Sequence, residues 1–295
     1  ITQAFNFIAT IEAILDLGAI PVITNIDDSL NMCPKDLKKK ISKKTKAVIP
    51  VHMLGFPAKM DDILKICKKK KIKIIEDNCE SVGGKYKDKK LGTFGDLGIL
   101  SFDFGKNITT GEGGAILTNN KKLHKFCKEY HDHGHELNPN YPRGEDTVRI
   151  FGFNYRMTEM QGAVGLAQIK KLNKILKENK HKYKILENKI KDKFKIRLCH
   201  KYSEPSYDTF IFEIKNRIKR KKIIDFLKQK KIGTKNVPDA IKWHFASFWS
   251  HAINKKEIKS IKKSRIKILN HLAIPIFIKK PRKTYLEIAN FISNI

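Results

Sequence analysis

Arginine is nearly missing from a chain otherwise crowded with positive charge. Of its 61 lysines and arginines only eight are arginine, at positions 143, 149, 156, 197, 217, 220, 265 and 282. Phosphate and base recognition favours arginine's planar fork over the point charge of lysine. The lysines are spread in runs such as Lys38–Lys40, Lys68–Lys71 and Lys219–Lys222, with no single basic stripe. The net charge of +31 therefore reads as solvated lysine faces, and no nucleic-acid partner is expected. Cysteine is also sparse. The five residues at 33, 67, 79, 127 and 199 are odd in number, far apart and free of any CxxC pair. That argues against a disulfide framework and a zinc site and leaves reduced thiols in a cytoplasmic protein as the expectation. No apolar run approaches the ~20 residues needed to span a bilayer, and no basic-then-apolar leader opens the chain. No membrane passage is expected. An initiator methionine is lacking too: a helical pattern starts directly after Ile1-Thr2-Gln3, so an upstream segment is expected to be missing.

What is present is core material. With 41% hydrophobic and 9% aromatic residues over 295 positions, whole-chain disorder and a coiled-coil rod are excluded. The length suits a large domain plus a smaller one. Helical spacing over Phe5–Leu17, ended by Gly18, precedes a strand at Pro21–Ile26. A helix around 35–42, a strand at Ala47–Val51, a helix near 60–70 and strands at Ile72–Ile75, Leu97–Phe102 and Ala115–Thr118 follow. Short strands alternating with helices predict βαβ units and a mostly parallel sheet, with ligands bound beyond the strands' carboxyl ends. A long helical pattern from Met157 to Asp192 opens a second half. It contains a strand at Thr209–Ile214, a helix over Lys219–Lys230, a poorly periodic stretch at 234–254, and helices near 255–270 and 283–293. The expected division is 1–180 and 181–295, an α/β domain followed by a smaller α+β one.

Four segments carry chemistry. Glu76-Asp77, followed by Glu80, closes an apolar strand and so falls at the ligand edge of the sheet, although Asp77 could equally cap a helix. Lys106 follows Ser101-Phe102 and is bracketed by glycines at 105, 111, 113 and 114, which permit close approach of backbone to a ligand. Phe151–Met157 is an aromatic loop in which Asn154 and Arg156 could reach an anion or simply pack, with Asn154 capping the helix that follows. His131, His133 and His135 alternate, but they follow a helix and flank Gly134, so no metal site is expected.

In combination and order, these segments resemble the DegT/DnrJ/EryC1/StrS sugar aminotransferase family. The likeness also takes in Phe5–Thr10, Pro50-Val51-His52, Gly95-Asp96, Gly113-Gly114 and Leu272–Pro275. It implies a pyridoxal-phosphate-dependent transferase of fold type I, working as a homodimer with shared active sites. It implies an amino-acid donor, expected to be glutamate, and a nucleotide-linked keto-sugar acceptor. Lys106 would hold pyridoxal 5'-phosphate as a Schiff base and move protons, and Asp77 would pair with the ring nitrogen. Phe7 would stack on the ring, while Ser101 and the partner subunit's Asn154 would bind the phosphate. The roles of His52 and Arg156 stay open. Glu80 stands where the family usually has glutamine, Asp103-Phe104-Gly105 replaces the commoner His-Pro-x, and the family's Ser-Gly-Thr phosphate segment would lie upstream of Ile1. The alternatives are a related sugar dehydratase, against which Lys106 argues because those enzymes carry histidine there, and a non-enzymatic basic binding or regulatory protein.

Overall fold

The computed structural model describes residues 1–295. Its elements run β1 (Thr2–Gln3), α1 (Ala9–Asp16), β2 (Ile23–Thr24), α2 (Pro34–Lys40), β3 (Ala47–Val48), α3 (Met60–Lys69), β4 (Lys73–Asp77), β5 (Lys85–Tyr86), β6 (Lys89–Lys90), β7 (Leu97–Ser101), β8 (Gly114–Leu117) and α4 (Lys121–Tyr130). Then come α5 (Glu159–Ile169), α6 (Leu172–Ile190), β9 (Ser203–Glu204), β10 (Thr209–Glu213), α7 (Arg217–Gln229), α8 (Ile241–His244), α9 (Lys255–Ser260), α10 (Lys262–Leu269), β11 (His271–Pro275) and α11 (Arg282–Ser293).

A mostly parallel sheet organises the first half. Strands β3, β4 and β7 are parallel neighbours, and only β8 runs antiparallel, at the edge. The parallel pair β1–β2 joins the sheet through a Thr2–Ile49 bridge, with the Ile49 N–H donating to the Ile1 carbonyl at 2.7 Å. β4 buries Ile74, Glu76 and Asp77, and α3 closes one face by burying Met60, Ile63 and Cys67. The carboxyl ends of β4 and β7 therefore open on the same side of the sheet, as parallel βαβ packing requires.

The second half is α+β. β10 and β11 pair antiparallel, from Thr209 opposite Pro275 to Glu213 opposite His271. Phe210, Phe212, Leu272 and Ile274 pack against Tyr183, Leu186 and Ile190 of α6, Ile223 and Leu227 of α7, and Tyr285, Ile288 and Ile292 of α11. Side chains alternate across a strand, so Ile211 and Ala273 face the other way. They join a core with Phe5, Ile8, Ile11, Phe245 and Trp249. The two halves thus share buried apolar surface.

Several elements differ from the sequence expectations. The long pattern from Met157 to Asp192 is two helices, separated by a tightened turn in which the Lys171 N–H donates to Gln168. They bury different things: α5 buries no residue, whereas α6 buries Ile175, Tyr183, Leu186 and Ile190. The helix near 255–270 is likewise split at Ile261. The first helix starts at Ala9 because Asn6 ties its own turn, its Oδ1 accepting from the Phe7 N–H at 2.7 Å and lying 3.1 Å from the Thr10 hydroxyl oxygen. Strand β11 and the small β6-β5-β9 sheet have no counterpart in the sequence reading. The strands of that small sheet, Lys85–Tyr86, Lys89–Lys90 and Ser203–Glu204, are polar apart from Tyr86 and carry no apolar run to read.

Gly98 in β7 is a point where the fold tolerates no side chain. A Cβ there would meet the Gly92 carbonyl oxygen at 1.9 Å. Gly98→Ala should therefore lower stability by about 3 kcal/mol, read as a fall in the midpoint of urea unfolding. An unchanged midpoint would mean that the turn around Gly92 moves freely.

Candidate active site

β4 presents two adjacent carboxylates to opposite sides. Glu76 is fully buried. It accepts N–H bonds from Gly92 at 3.0 Å, Gly95 at 2.7 Å and Phe94, and lies 3.1 Å from His52 Nε2. His52 Nδ1 accepts the Ala58 N–H at 3.0 Å, so its proton is on Nε2 and is donated to Glu76. Burial would raise the Glu76 carboxyl, but His52 and the Gly95 and Gly92 N–H groups outweigh it and hold it below the usual carboxylate range. Glu76 and His52 are structural; their bonds fix the 92–95 turn against the sheet.

Asp77 faces a cavity of about 580 Å³. It caps no helix. Its Oδ2 accepts the Thr10 hydroxyl at 2.7 Å, and its Oδ1 accepts the Cys79 N–H at 3.1 Å in a local turn. Phe7, Glu80, Ser101 and Lys106 line the same cavity. Lys106 sits in the turn after β7, where its N–H donates to the Asp103 carbonyl at 3.1 Å and Asp103 Oδ1 accepts from Gly105 at 3.0 Å. Its ammonium lies 3.8 Å from Glu80 Oε1, and Glu80 Oε2 accepts the Leu54 N–H at 3.0 Å. Burial would raise the Glu80 carboxyl, but Lys106, Lys235 and His244 hold it low. The Cys79 thiol is pushed well up by burial and by Asp77, so it stays protonated. Phe7 is half exposed on the cavity wall, its ring centroid 5.1 Å from that of His244.

Five of the six sequence candidates thus converge, and Asn154 does not. Asn154 is exposed, bridges Asp132 through its backbone, and accepts the Arg156 N–H at 3.4 Å. It caps no helix either: Thr158 does so through a reciprocal pair with Gln161. Arg156 is bound to Asp132, which also takes a forked pair from Arg143 at 2.5 and 2.8 Å. Three cavity-side residues went unread in the sequence: Thr10, His244 and Lys235. Thr10 was findable, since Asn6 and Thr10 are one helical turn apart. His244 and Lys235 lie in an irregular stretch without periodicity.

The cavity's groups fit pyridoxal phosphate. An amine that can bond to its aldehyde, a fixed carboxylate for the ring nitrogen, a half-exposed aromatic wall and a hydroxyl for the phosphate all face one space. The model of the DegT/DnrJ/EryC1/StrS aminotransferase family matches residues 1–279. The chain belongs to that family. It is 34% identical over 211 residues to GDP-perosamine synthase of Escherichia coli O157:H7, covering 71% of this chain and 56% of that one. It is 36% identical over 171 residues to the UDP-4-amino-4,6-dideoxy-N-acetyl-beta-L-altrosamine transaminase of Helicobacter pylori, covering 58% of this chain and 45% of that one. The chain spans about half the length of these curated relatives. The aminotransferase of Psychrobacter cryohalolentis shares the fold with a TM-score of 0.84 at 23% identity, over 98% of this chain and 79% of that one. The fold is that of a type I pyridoxal-phosphate transferase.

Replacing the buried Glu76 leaves its donors facing an amide nitrogen. Glu76→Gln should cost about 3 kcal/mol at neutral pH. Its carboxyl is lowered in the folded chain from an ordinary value of 4.5. Its stabilising contribution is therefore full above that value and lost as pH falls below it. The gap between variant and parent in thermal unfolding should narrow in acid; a gap independent of pH would show that the charge is not what holds the turn.

Proposed function

We propose that the chain is a pyridoxal-phosphate-dependent aminotransferase that moves an amino group from an amino acid, glutamate in our reading, to a nucleotide-linked keto-sugar for amino-sugar or surface-polysaccharide synthesis. The observation that carries this is the convergence of Lys106, Asp77, Glu80, Ser101 and Phe7 on one cavity at the carboxyl ends of β4 and β7. Bound there, pyridoxal phosphate supplies an electron sink for the carbon bearing the amino group. Lys106 would hold the cofactor through its amine and, once freed, would serve as general base and acid for the proton on the substrate carbon. Asp77, oriented by the Thr10 hydroxyl and the Cys79 N–H, would favour a protonated ring nitrogen. Phe7 would supply the aromatic wall for the ring, and Ser101 would offer its hydroxyl to the phosphate. Lys106 also argues against the dehydratase reading, because histidine cannot form the covalent link that an amine forms.

We further propose a homodimer in which the partner subunit's Asn154 reaches the cofactor phosphate. Exposed apolar groups around that loop support it: Phe151 is 77% exposed, Tyr155 65%, Met160 80% and Leu166 66%. Large apolar side chains left this exposed around one loop suit a face covered by a second copy of the chain. The division into 1–180 and 181–295 is supported by the entry of Tyr183, Leu186 and Ile190 into the C-terminal core. A cytoplasmic location is supported by five unpaired cysteines. No helix is long and apolar enough to cross a membrane.

Reconstitution with pyridoxal phosphate should give a near-visible absorption that borohydride abolishes, leaving a pyridoxyl mass on Lys106. A label on another lysine would move the site. Lys106→Ala should lose both the label and amino transfer. Asp77→Asn should keep cofactor but lower turnover by about a hundredfold, the usual scale for losing a positioned charge; near-normal turnover would reduce Asp77 to a turn former. Mixing Lys106→Ala with Asn154→Asp under subunit exchange should restore partial activity, because one site of each mixed dimer escapes both lesions. Verified mixed dimers without activity would place Asn154 in its own subunit's site.

A further inference from the structure

Like charges are set against one another at one place in this fold. In the β5–β6 hairpin Lys85 lies directly opposite Lys90, and on α6 Lys177 and Lys180 are three residues apart on one face. Each arrangement is unfavourable alone, because cross-strand and i,i+3 neighbours of one sign repel. Tertiary packing then brings both pairs to a single depression of about 260 Å³. Gly83 and Leu176 form its floor: φ at Gly83 is 88°, and a Cβ there would meet Leu176 Cδ1 at 2.6 Å. Glu204 is the only acid in the wall. It sits opposite Lys85 in register, with Oε2 3.5 Å from that ammonium and Oε1 3.5 Å from Lys180. Lys90 and Lys177 have no partner for their ammonium groups, and the Asn173 amide and Tyr207 hydroxyl are uncommitted too. The groove beside α7 makes the contrast, since four lysines gather there as well. Lys193 donates to the Ser293 carbonyl, Lys195 pairs with Asp28 at 3.3 Å, Lys215 pairs with Glu213 at 3.3 Å, and Lys219 donates to the Ile295 carbonyl at 2.6 Å. In that groove every ammonium is answered within the protein.

We propose that the depression between the β5–β6 hairpin and α6 is a binding site for a diphosphate group. A concave wall carrying one sign of charge focuses its field on the space it encloses and draws in a counter-ion. Lysine meets phosphate as a point charge and needs no fork, so the shortage of arginine is no obstacle. Four lysines less one glutamate leave a net of three positive charges. A single phosphoryl group brings about −1.5 to −2 at pH 7, and two joined groups come closer to balance. The Asn173 amide and the Tyr207 hydroxyl add neutral donors at the wall. Inorganic diphosphate and a nucleoside diphosphate share the recognised group, and the test separates them. The site adjoins the active site without belonging to it. Val82 and Asp208, next in sequence to Gly83 and Tyr207, line a small cavity that also takes in Glu80, Lys106 and Lys235. The proposal does not depend on the chemistry assigned to Lys106.

Isothermal titration of the chain with inorganic diphosphate, and separately with uridine diphosphate, tests it. Lys90→Met combined with Lys177→Met should weaken binding about tenfold, the scale of two exposed charge pairs. Glu204→Gln should tighten it about threefold by removing the one repelling charge. Damage to the fold cannot tighten binding, so the two opposite shifts together are not a structural artefact. Lys193→Met combined with Lys215→Met makes the same change of net charge in the α7 groove and should leave the affinity in place, as should Ser101→Ala in the large cavity. Equal affinity for the two ligands assigns the site to the diphosphate itself; tighter uridine diphosphate assigns it to a nucleotide whose base lies on Tyr207. Absence of binding by both ligands overturns the proposal, as does a Glu204→Gln chain that binds no tighter. An equal loss in the α7-groove variant would mean attraction to the overall charge of the chain, and a loss in Ser101→Ala would mean binding in the large cavity. Either result also overturns it.

Discussion

A single buried carboxylate, Glu76, sets the ground on which the site is built. It lies in the middle of the sheet, where an ionised group without partners would be prohibitive. Three backbone N–H groups and the His52 imidazole converge on it, and charge-assisted bonds of this kind are among the strongest a fold can make. In satisfying Glu76, the chain folds the 92–95 turn back against β4 and so aligns β7 beside it. Gly98 then passes the Gly92 carbonyl too closely for any side chain. Strand alternation does the rest: with Glu76 committed to one face, Asp77 is committed to the other, where the cavity is. Two adjacent acids thus part: one anchors the 92–95 turn and the other borders the cavity.

The scarcity of arginine acquires a meaning in three dimensions. Arg197 is buried, donating to the Ser29 carbonyl at 2.5 Å with its guanidinium 4.4 Å above Phe56. Arg143 and Arg156 share Asp132, Arg282 forks onto Glu178 at 2.6 and 2.9 Å, and Arg220 reaches the Leu269 and His271 carbonyls. These are sites where a planar, multi-donor group is geometrically required. Lysine carries the surface, with Lys182 buried and a few others half-buried. Lys182 donates to the Phe277 and Ile278 carbonyls at 2.9 and 3.1 Å and pins the C-terminal unit. Lys106 and Lys235 border the cavities.

Much of the fold was legible because its strands β4, β7 and β10 are apolar runs bounded by turns, and its helices α3 and α7 have clear periodicity. The illegible parts have particular causes. α5 and α6 read as one helix because both have helical periodicity, and periodicity does not report which surface each helix buries. β11, which holds the motif Leu272–Pro275, does not read as a strand, since every residue in it is buried and no alternation appears. At the site, five residues were legible through the order of their motifs. Lys235 and His244 were not, because tertiary packing alone brings their irregular segment to the cavity.

That segment shows why the two halves cannot be treated as a rigid scaffold and a loose appendage. The Asn6 N–H donates to the His244 carbonyl at 3.0 Å, Phe5 bridges Phe245, and the Ala246 N–H donates to the Ala4 carbonyl at 2.9 Å. Phe7 is thus held from both sides, by the Asn6–Thr10 turn within its own segment and by the 244–246 segment from the far end of the chain. The same 234–246 stretch carries Lys235 to the small cavity and His244 to the large one. Apolar burial through Phe245 and Trp249 fixes it, since both are essentially inaccessible to water. A change of packing between the halves would therefore move the aromatic wall, the imidazole and the second lysine together. The chemistry proposed for the N-terminal sheet depends on a core that only the C-terminal residues complete.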